Sequence, residues 1–259
     1  MNKNKYVIYT SLTGGYDKLP QYEVLDDRFD YICFSNDYPD GSKVGQWEIR
    51  KIPIREKSNI ILSRFPKLQP HKILSEYEYS IWLDSNIIII GDAFYNNILK
   101  KISIGGEWYG IAHPLRNCIY DEIIACREAG IIGYFKAKRL LKILLYEGFP
   151  KNYGLYENNL ILRRHNTKII IKIDDIWWTS FVDSIKRDQI SLFFIFWKLN
   201  FRPQILQKNS TRNDDNLRYL RHISNKKYRI KKLCMRILNS ISRKLDFLSD
   251  LEENIKNKY

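Results

Sequence analysis

Residues 79–90 read YSIWLDSNIIII, a strongly apolar run interrupted by an acid, Asp84, and an amide, Asn86. In an extended strand residues i and i+2 project to the same side, so these two side chains would direct oxygen atoms toward one point. Mg²⁺ and Mn²⁺ prefer such oxygens, and either metal can bridge a protein to a diphosphate. The run therefore predicts a strand that ends in a metal site, although Asp, Ser and Asn also end strands simply as turn residues.

Shorter apolar runs predict further strands at residues 5–11, 31–35 and 47–52, with a helix near residues 59–67. Beyond residue 90 we predict a strand that begins at Trp108, a helix at 137–146 and a buried helix at 192–197. Connectors of about ten to twenty residues favour an α/β fold built largely on parallel strands. Ligands of such sheets bind beyond the carboxyl ends of the strands, so we expect the turn at residues 14–15 and the turn at 84–86 to face one crevice.

The composition is that of a folded protein, because 44% of the 259 residues are hydrophobic and 14% are aromatic. The first twelve residues contain no apolar stretch long enough for a signal peptide, and no later run approaches the roughly 18 apolar residues of a membrane span. These features predict a cytoplasmic protein. The four cysteines are too scattered for a zinc motif, so we interpret them as small, mostly buried thiols.

The net charge of +14 is concentrated near the C-terminus, since residues 208–259 carry +8 of it. From residue 228 onward apolar residues recur every three or four positions, which predicts an amphipathic helix with basic residues around an apolar stripe. Such a helix binds an anionic membrane, docks its stripe on the domain, or pairs as a coiled coil. We predict a main domain at 1–207, a basic helical tail at 208–259, and an anionic membrane surface as the partner of residues 226–259.

Two basic residues, Arg64 and Lys67, lie three positions apart and would share one face of the predicted helix. They would neutralise phosphates, Arg64 through a bidentate fork and Lys67 as a point charge, unless they form an ordinary solvated face. His113 follows a predicted strand, where it would reach a site built from loops or serve as a hydrogen-bonded structural group. Neither pattern identifies a function by itself.

Two acidic residues also lie beside apolar segments. Glu157 is followed by Asn158 and Asn159, and Asp188 directly precedes a very apolar run. The ordinary role of an acid in the position of Asp188 is to cap a helix. Their interpretation therefore depends on the motifs that surround them.

Eight motifs, taken in order, resemble a glycosyltransferase-like domain family that was first catalogued as a domain of unknown function and occurs in bacterial polysaccharide loci and plant Golgi proteins. They are YTSLTGGYD (9–17), YICF (31–34), RFPKLQPH (64–71), SIWLDSN (80–86), HPLRNC (113–118), GLYEN (154–158), RRHN (163–166) and RDQ (187–189). The resemblance covers roughly residues 5–205 and excludes the tail.

The resemblance implies a GT-A-like fold for residues 1–207, that of nucleotide-diphospho-sugar transferases, with a mixed, mostly parallel sheet flanked by helices. Asp84 and Asn86 would stand in for the usual Asp-x-Asp metal motif and hold Mn²⁺ or Mg²⁺. Asn86 removes one negative charge from that motif, which weakens metal binding and leaves metal dependence open. The resemblance assigns the nucleotide sugar to Thr10, Gly14, Gly15, Tyr16, Asp17, Arg64, Lys67, Asp84, Gln189 and His113.

By the same resemblance, the chain would transfer a sugar from a UDP-linked donor to a glycan or lipid-linked acceptor in bacterial surface polysaccharide synthesis (capsule, O-antigen or lipooligosaccharide). Together with the amphipathic tail, this predicts a location at the inner face of the cytoplasmic membrane. Asp188 and Gln189 are similar to an Asp-Gln element beside the sugar in retaining enzymes, so retention is favoured slightly over inversion. We expect Asp188 to bind the donor sugar or support the reacting centre, and Glu157 to orient or deprotonate the acceptor.

Two other classes of protein fit parts of the sequence. A catalytically inactive nucleotide-sugar-binding protein is compatible with Asn86 in place of a second Asp. A nucleic-acid-binding protein would use the net charge and the 18 tyrosines for phosphate contacts and stacking. We expect no nucleic-acid partner, because the most basic segment alternates with aliphatic rather than aromatic residues and Asp84 would repel phosphate in the absence of a metal.

Overall fold

The structure of the protein is a computed structural model that describes residues 4–15, 18–183, 187–220 and 226–256, with side chains in the last range described for 229–247. The chain divides into two compact units. Unit 1 comprises Met1–Leu115 and Leu155–Ile223, and unit 2 comprises Arg116–Gly154 and Ser224–Tyr259. The predicted boundary at residue 207 stays a prediction.

The strands all lie in unit 1, where the described residues form one eight-stranded sheet and one two-stranded ribbon. In chain order they are β1 (Tyr6–Ser11), β2 (Phe29–Phe34), β3 (Lys43–Val44), β4 (Trp47–Arg50), β5 (Tyr79–Leu83), β6 (Ile87–Ile89), β7 (Trp108–Ala112), β8 (Tyr156–Arg163), β9 (Gln204–Ile205) and β10 (Leu217–Tyr219). The spatial order of the sheet is β3-β4-β2-β1-β5-β8-β7-β9, and the ribbon pairs β6 with β10.

Most neighbours in the sheet run parallel. Strand β1 pairs in parallel with β2 and β5, β2 with β4, and β7 with β9. Strand β8 is antiparallel to both of its neighbours, β5 and β7, and β3 is antiparallel to β4. Strand β5 is buried at all five residues, as expected of a central strand covered on both faces. The prediction of a mixed, mostly parallel α/β sheet flanked by helices is therefore confirmed.

The helices of unit 1 are α1 (Asn59–Leu68), α2 (Ala93–Ile104), α5 (Lys168–Asp183) and α6 (Asp188–Lys198). Those of unit 2 are α3 (Ile119–Glu128), α4 (Tyr134–Tyr146) and α7 (Lys226–Lys256). The predicted helices at 59–67, 137–146 and 192–197 are confirmed as α1, α4 and α6. Among the described helices, none is both long and apolar enough to cross a membrane.

The run at residues 79–90 is divided rather than one extended strand. Strand β5 ends at Leu83, residues 84–86 form a turn, and β6 leaves the main sheet to pair with β10. The turn forms because the Asp84 carbonyl accepts a hydrogen bond from the Ile87 N–H at 3.0 Å. The extended geometry expected for Asp84 and Asn86 is therefore wrong, and their positions follow from the turn.

Candidate active site

The carboxyl ends of β1 and β5 lie side by side, because these strands are parallel neighbours with Tyr9 opposite Trp82. The turn at residues 14–15 follows β1, and the turn at 84–86 follows β5. Both turns therefore leave the same edge of the sheet, as the sequence predicts.

The turn at Gly14 and Gly15 packs against the start of α1. Both glycines have positive φ, at 76° and 60°, and a Cβ added at Gly14 would overlap the side chain of Asn59. Thr13 Oγ1 donates a hydrogen bond to the Asn59 carbonyl at 3.1 Å. The backbone conformation thus favours glycine at position 14, and the Asn59 side chain would have to move to admit a Cβ there.

Four of the predicted residues form a charged cluster near this edge. Lys67 Nζ lies 2.6 Å from Asp188 Oδ2 and 3.5 Å from Asp84 Oδ1. Arg64 lies one turn earlier on α1, with its Nε 4.0 Å from the same Asp188 oxygen. Residues separated by more than 100 positions thus converge, and a lysine whose side chain is only 2% exposed lies between two carboxylates.

Trp82 orients the Asp84 carboxylate. The indole Nε1 donates a hydrogen bond to Asp84 Oδ1 at 2.7 Å, and Lys67 Nζ lies 5.5 Å from the centre of the Trp82 ring. One oxygen of Asp84 therefore faces two positive or partly positive groups. This arrangement holds the carboxylate in one position before any ligand binds.

A buried network fixes the backbone of α1 beneath Lys67. Arg163 is fully buried, donates to the Lys67 carbonyl and to Tyr9 Oη at 2.7 Å, and forms a 2.6 Å ion pair with Asp174. Burial raises the pKa of Asp174, and the charge of Arg163 opposes that effect. Because three elements are tied to one guanidinium group, Lys67 cannot move independently of the core.

Asp188 lies at the first position of α6 and remains ionised. Burial alone would raise the pKa of its carboxyl group, but the positive charges of Lys67 and Arg64 outweigh burial and hold that pKa well below its usual range. A carboxylate in this state accepts hydrogen bonds and does not serve as a general acid. The helix-capping interpretation is not supported, because Arg187 is the N-cap residue of α6.

Glu157 is held by hydrogen bonds on both carboxylate oxygens. Its Oε1 accepts from Ser210 Oγ, and its Oε2 accepts from Asn159 Nδ2 at 2.8 Å and from Thr211 Oγ1 at 3.2 Å. Ser210 caps a short 3₁₀ turn at Thr211–Asn213. Glu157 therefore fastens this turn to β8.

The same 3₁₀ turn brings in Arg212, which the sequence analysis did not select. Its guanidinium group lies 4.9 Å from the centre of the Tyr219 ring. A hydrogen bond with Tyr219 raises the pKa of Arg212, and so do the charges of Glu157 and Asp84. Arg212 is an exposed cation within electrostatic reach of both acids. Its local sequence, TRNDDN, reads as an ordinary polar loop and gives no signal of this role.

Asn86 lies two residues after Asp84 in the same turn and has an amide oxygen. Its Nδ2 donates to the Leu220 carbonyl at 2.9 Å, while its buried Oδ1 accepts no hydrogen bond from the described residues. A carboxylate and an amide oxygen fit a Mg²⁺ or Mn²⁺ ion that takes its remaining ligands from water and phosphate. Within the described residues, no group of three His, Cys, Asp or Glu side chains has the arrangement of a metal site.

The remaining predicted residues lie outside this cluster or outside the described residues. Thr10 is fully buried in β1, and Gln189 is buried with its Nε2 donating to a backbone carbonyl of β8. His113 directly follows β7, and its Nδ1 accepts a hydrogen bond at 3.2 Å from a backbone N–H of the same loop. Tyr16 and Asp17 are not among the described residues.

A family model described as "TOD1/MUCI70, glycosyltransferase-like domain" matches residues 16–217, which is more than half of the chain. The chain belongs to the TOD1/MUCI70 family. The resemblance carried by the eight motifs is therefore confirmed, and this TOD1/MUCI70 chain contains a glycosyltransferase-like domain. No curated protein matches it.

Three solved glycosyltransferase structures are similar to this TOD1/MUCI70 chain. The apo structure of the bifunctional WbbM is 11% identical, with a TM-score of 0.43 over 91% of this chain and 45% of WbbM. An enzyme involved in glycosylating the major capsid of PBCV-1 is 11% identical, with a TM-score of 0.39 over 74% and 84% of the two chains. GlyE of Streptococcus pneumoniae TIGR4 is 14% identical, with a TM-score of 0.42 over 82% and 47%. The chain spans less than half of the WbbM and GlyE chains.

Proposed function

We propose that this domain transfers a sugar from a nucleotide-sugar donor, UDP-linked, to a glycan or lipid-linked acceptor in bacterial surface polysaccharide synthesis. The observation that carries the proposal is the charged cluster of Lys67, Asp84 and Asp188 beside the carboxyl edge of the sheet. In α/β sheets this edge is where ligands bind. The proposed donor diphosphate lies there, between the cluster and the turn at residues 14–15.

Glycosyl transfer develops positive charge on the sugar ring and negative charge on the departing diphosphate. Arg64 and Arg212 supply exposed or half-exposed cations for the diphosphate, and Lys67 fixes the acids that surround it. Asp188, held ionised, accepts hydrogen bonds from donor sugar hydroxyls and stabilises the positive ring. We favour retention of the anomeric configuration on the strength of the Asp188–Gln189 motif.

Asp84 and Asn86 would hold Mn²⁺ or Mg²⁺, which supplies Lewis-acid stabilisation of the diphosphate when bound. The described site is otherwise balanced in charge, because Asp84, Asp188 and Glu157 offset Arg64, Lys67 and Arg212. A diphosphate adds negative charge to that balanced site. We therefore expect metal and nucleotide to bind together more tightly than either binds alone.

Glu157 was expected to orient or deprotonate the acceptor. Its three hydrogen bonds favour orientation, because both of its oxygens already accept hydrogen bonds from Asn159, Ser210 and Thr211. We propose that it positions the turn that carries Arg212. The acceptor hydroxyl then approaches the donor sugar beside this turn.

A panel of nucleotides and nucleotide sugars tests the proposal by thermal shift, with and without Mn²⁺, followed by a transfer assay on the donors that bind. A ligand at about 100 times its dissociation constant stabilises the fold by roughly 2.7 kcal/mol. Asp84→Ala should abolish transfer without unfolding the protein. Asp92→Ala, which removes an exposed aspartate that makes no capping hydrogen bond, is the control and should keep full activity.

The proposal would be contradicted if no nucleotide or nucleotide sugar raised the unfolding temperature, with or without Mn²⁺. Near-normal turnover of Asp84→Ala would remove that residue from the mechanism. Binding of a nucleotide sugar without turnover on any acceptor would instead favour the catalytically inactive binding protein that Asn86 leaves open.

We also propose that the protein works as a peripheral protein at the inner face of the cytoplasmic membrane, where a lipid-linked acceptor would be found. The support is the basic amphipathic pattern of residues 226–259.

A further inference from the structure

Helix α7 docks within unit 2 through a polar stripe, whose residues are all polar apart from Met235. Its partly or fully buried side chains recur at spacings of three and four residues, and they are Lys232, Met235, Asn239, Ser242 and Asp246. Asn239 lies at the centre of this stripe: its Oδ1 accepts from the Tyr134 N–H at 2.7 Å, and its Nδ2 donates to the carbonyls of Arg127 and Ile132 at 2.8 and 3.0 Å.

Two further contacts strengthen this docking. Asp246 accepts hydrogen bonds from Lys138 Nζ at 2.6 Å and from Tyr134 Oη at 2.8 Å. At the other end of the stripe, the α7 backbone lies so close to Gly130 that a Cβ there would overlap the Lys232 carbonyl. The orientation of α7 about its axis is therefore fixed by polar groups and one close backbone approach.

The apolar stripe of α7 is exposed as a result. Ile230, Leu233 and Ile237 each precede a docked residue by two positions, which is a rotation of about 200° around a helix. Their exposed fractions are 54, 56 and 54%, and Ile241 and Leu245 continue the stripe at 49 and 59%. Within unit 2, residues 229–247 of α7 therefore dock through the other face of the helix and not through the apolar stripe.

The charges around the stripe decide between a lipid surface and a second copy of the chain. Five cations lie beside it: Arg229, Lys231, Arg236, Arg243 and Lys244. Between residues 229 and 247 there is one acid, Asp246, and it is already bound to Lys138. Pairing two copies of the stripe along residues 229–247 would bring cations against cations, because the other acids of α7, Asp250, Glu252 and Glu253, all come after this range. An anionic lipid surface supplies the complementary charge.

We infer that α7 uses two faces for two contacts. Its polar stripe packs against unit 2, while its apolar stripe and the flanking cations bind an anionic membrane surface. The apolar side chains enter the boundary between headgroups and acyl chains, and the cations contact lipid phosphates. The helix lies parallel to the membrane surface. This inference rests on the peripheral attachment proposed above and names the face of α7 that makes it, but it does not depend on the proposed sugar transfer.

Co-sedimentation of the full chain with vesicles tests the inference, using phosphatidylcholine with and without about 30% phosphatidylglycerol. We expect binding to the anionic vesicles that falls sharply at about 1 M salt, where charge interactions are screened within roughly 3 Å. Ile237→Ser with Ile241→Ser should weaken binding by about tenfold or more. Arg236→Gln with Arg243→Gln should weaken it by about 30-fold at low salt, since each cation contributes about 1 kcal/mol.

Matched controls are available in unit 1. Leu25→Ser removes an apolar side chain of similar exposure, 52%, and should leave vesicle binding unchanged. Lys43→Gln with Lys100→Gln removes two exposed cations and should have much less effect than the α7 pair. Circular dichroism and thermal unfolding of each variant distinguish the loss of a membrane-binding surface from unfolding of the protein.

Cys234 provides a direct probe of the stripe, because it is exposed on α7 whereas Cys33, Cys118 and Cys126 are buried. An environment-sensitive fluorophore on Cys234 should shift to the blue on anionic vesicles. Unchanged emission together with unchanged sedimentation of the Ile237/Ile241 variant would overturn the inference. So would a concentration-dependent dimer that this variant converts to monomer while vesicle binding persists, because the stripe would then bind a second copy.

Discussion

Replacing Lys67 with methionine tests whether the charged cluster is a fixed unit. The substitution keeps the length and apolar stem of the side chain but removes the ammonium group that lies 2.6 Å from Asp188 and 3.5 Å from Asp84. Lys67 is 2% exposed and Asp188 13% exposed at their side chains, so solvent compensates little. Breaking a buried pair by removing one partner costs about 3–5 kcal/mol. Because Arg64 remains near Asp188, we expect a loss of about 3 kcal/mol.

The loss should depend on pH in a defined direction. In the wild type the pKa of Asp188 lies below its usual value, so the stabilisation from its ionised form persists down to about pH 4 and is lost only below it. Without Lys67, burial raises the pKa of Asp188, and protonation then relieves the buried charge as the pH falls. The difference in unfolding free energy between wild type and Lys67→Met should therefore be largest near pH 7 and smaller near pH 5.

Urea unfolding followed by tryptophan fluorescence at pH 7 and pH 5 measures both quantities. The double variant Lys67→Met with Asp188→Asn removes both charges. Its loss of unfolding free energy should be smaller than the sum of the losses of the two single variants, by at least about 1 kcal/mol. The buried pair would be refuted if the unfolding free energy of Lys67→Met at pH 7 were within about 0.5 kcal/mol of the wild-type value. It would also be refuted if the losses of the two single variants added up to the loss of the double variant.

Three further outcomes are expected. Arg212→Gln should raise the donor dissociation constant by about tenfold or more in a titration, whereas Arg218→Gln, which changes an exposed residue of β10, should not. Gly130→Ala should speed hydrogen exchange of α7 amides and leave β1 amides unchanged, because position 130 has φ of +68° and its Cβ would overlap the α7 backbone. Burial lowers the pKa of His165 to about 4. Its contribution to stability is therefore complete above about pH 6.5 and falls by about 3 kcal/mol toward pH 4, and His165→Gln should flatten that part of the unfolding profile.

The parallel part of the sheet and helix α1 were predictable because each is encoded by residues close together in sequence. Strands β1 and β5 are largely apolar runs, and α1 follows the three-and-four spacing of a helix. The turn at Gly14 and Gly15 was recognisable from composition alone. These local signals were enough to bring two turns to one edge of the sheet.

The ribbon of β6 and β10 could not be foreseen from the sequence. It joins residues about 130 positions apart, and the Ile87–Ile89 run resembles a continuation of β5. The hydrogen bonds that hold Glu157 to Ser210 and Thr211 also join residues far apart in sequence, by 53 and 54 positions. Strand β10 has only three residues and lies in a polar segment, so it contains too few apolar positions for an alternating pattern to be detected.

For α7 the sequence revealed the apolar stripe but not the face that docks. The face that docks depends on Asn239, which forms hydrogen bonds with three backbone groups at once. It also depends on Gly130, whose lack of a Cβ lets the α7 backbone approach closely. A stripe of large aliphatic residues would ordinarily be expected to face its own domain. In this helix, specific hydrogen bonds between Asn239 and three backbone groups of unit 2 accompany the opposite orientation.

The buried charges beneath the site connect stability to the proposed chemistry. A buried ion pair is rarely more stabilising than an apolar pair of the same size, so Arg163 and Asp174 gain little for the fold by being charged. Arg163 does, however, donate to the Lys67 carbonyl, and Lys67 in turn holds Asp84 and Asp188. A cation and two carboxylates fixed in this way need not reorganise when charge develops on a bound ligand, and this lack of reorganisation makes electrostatic stabilisation effective in a transfer reaction.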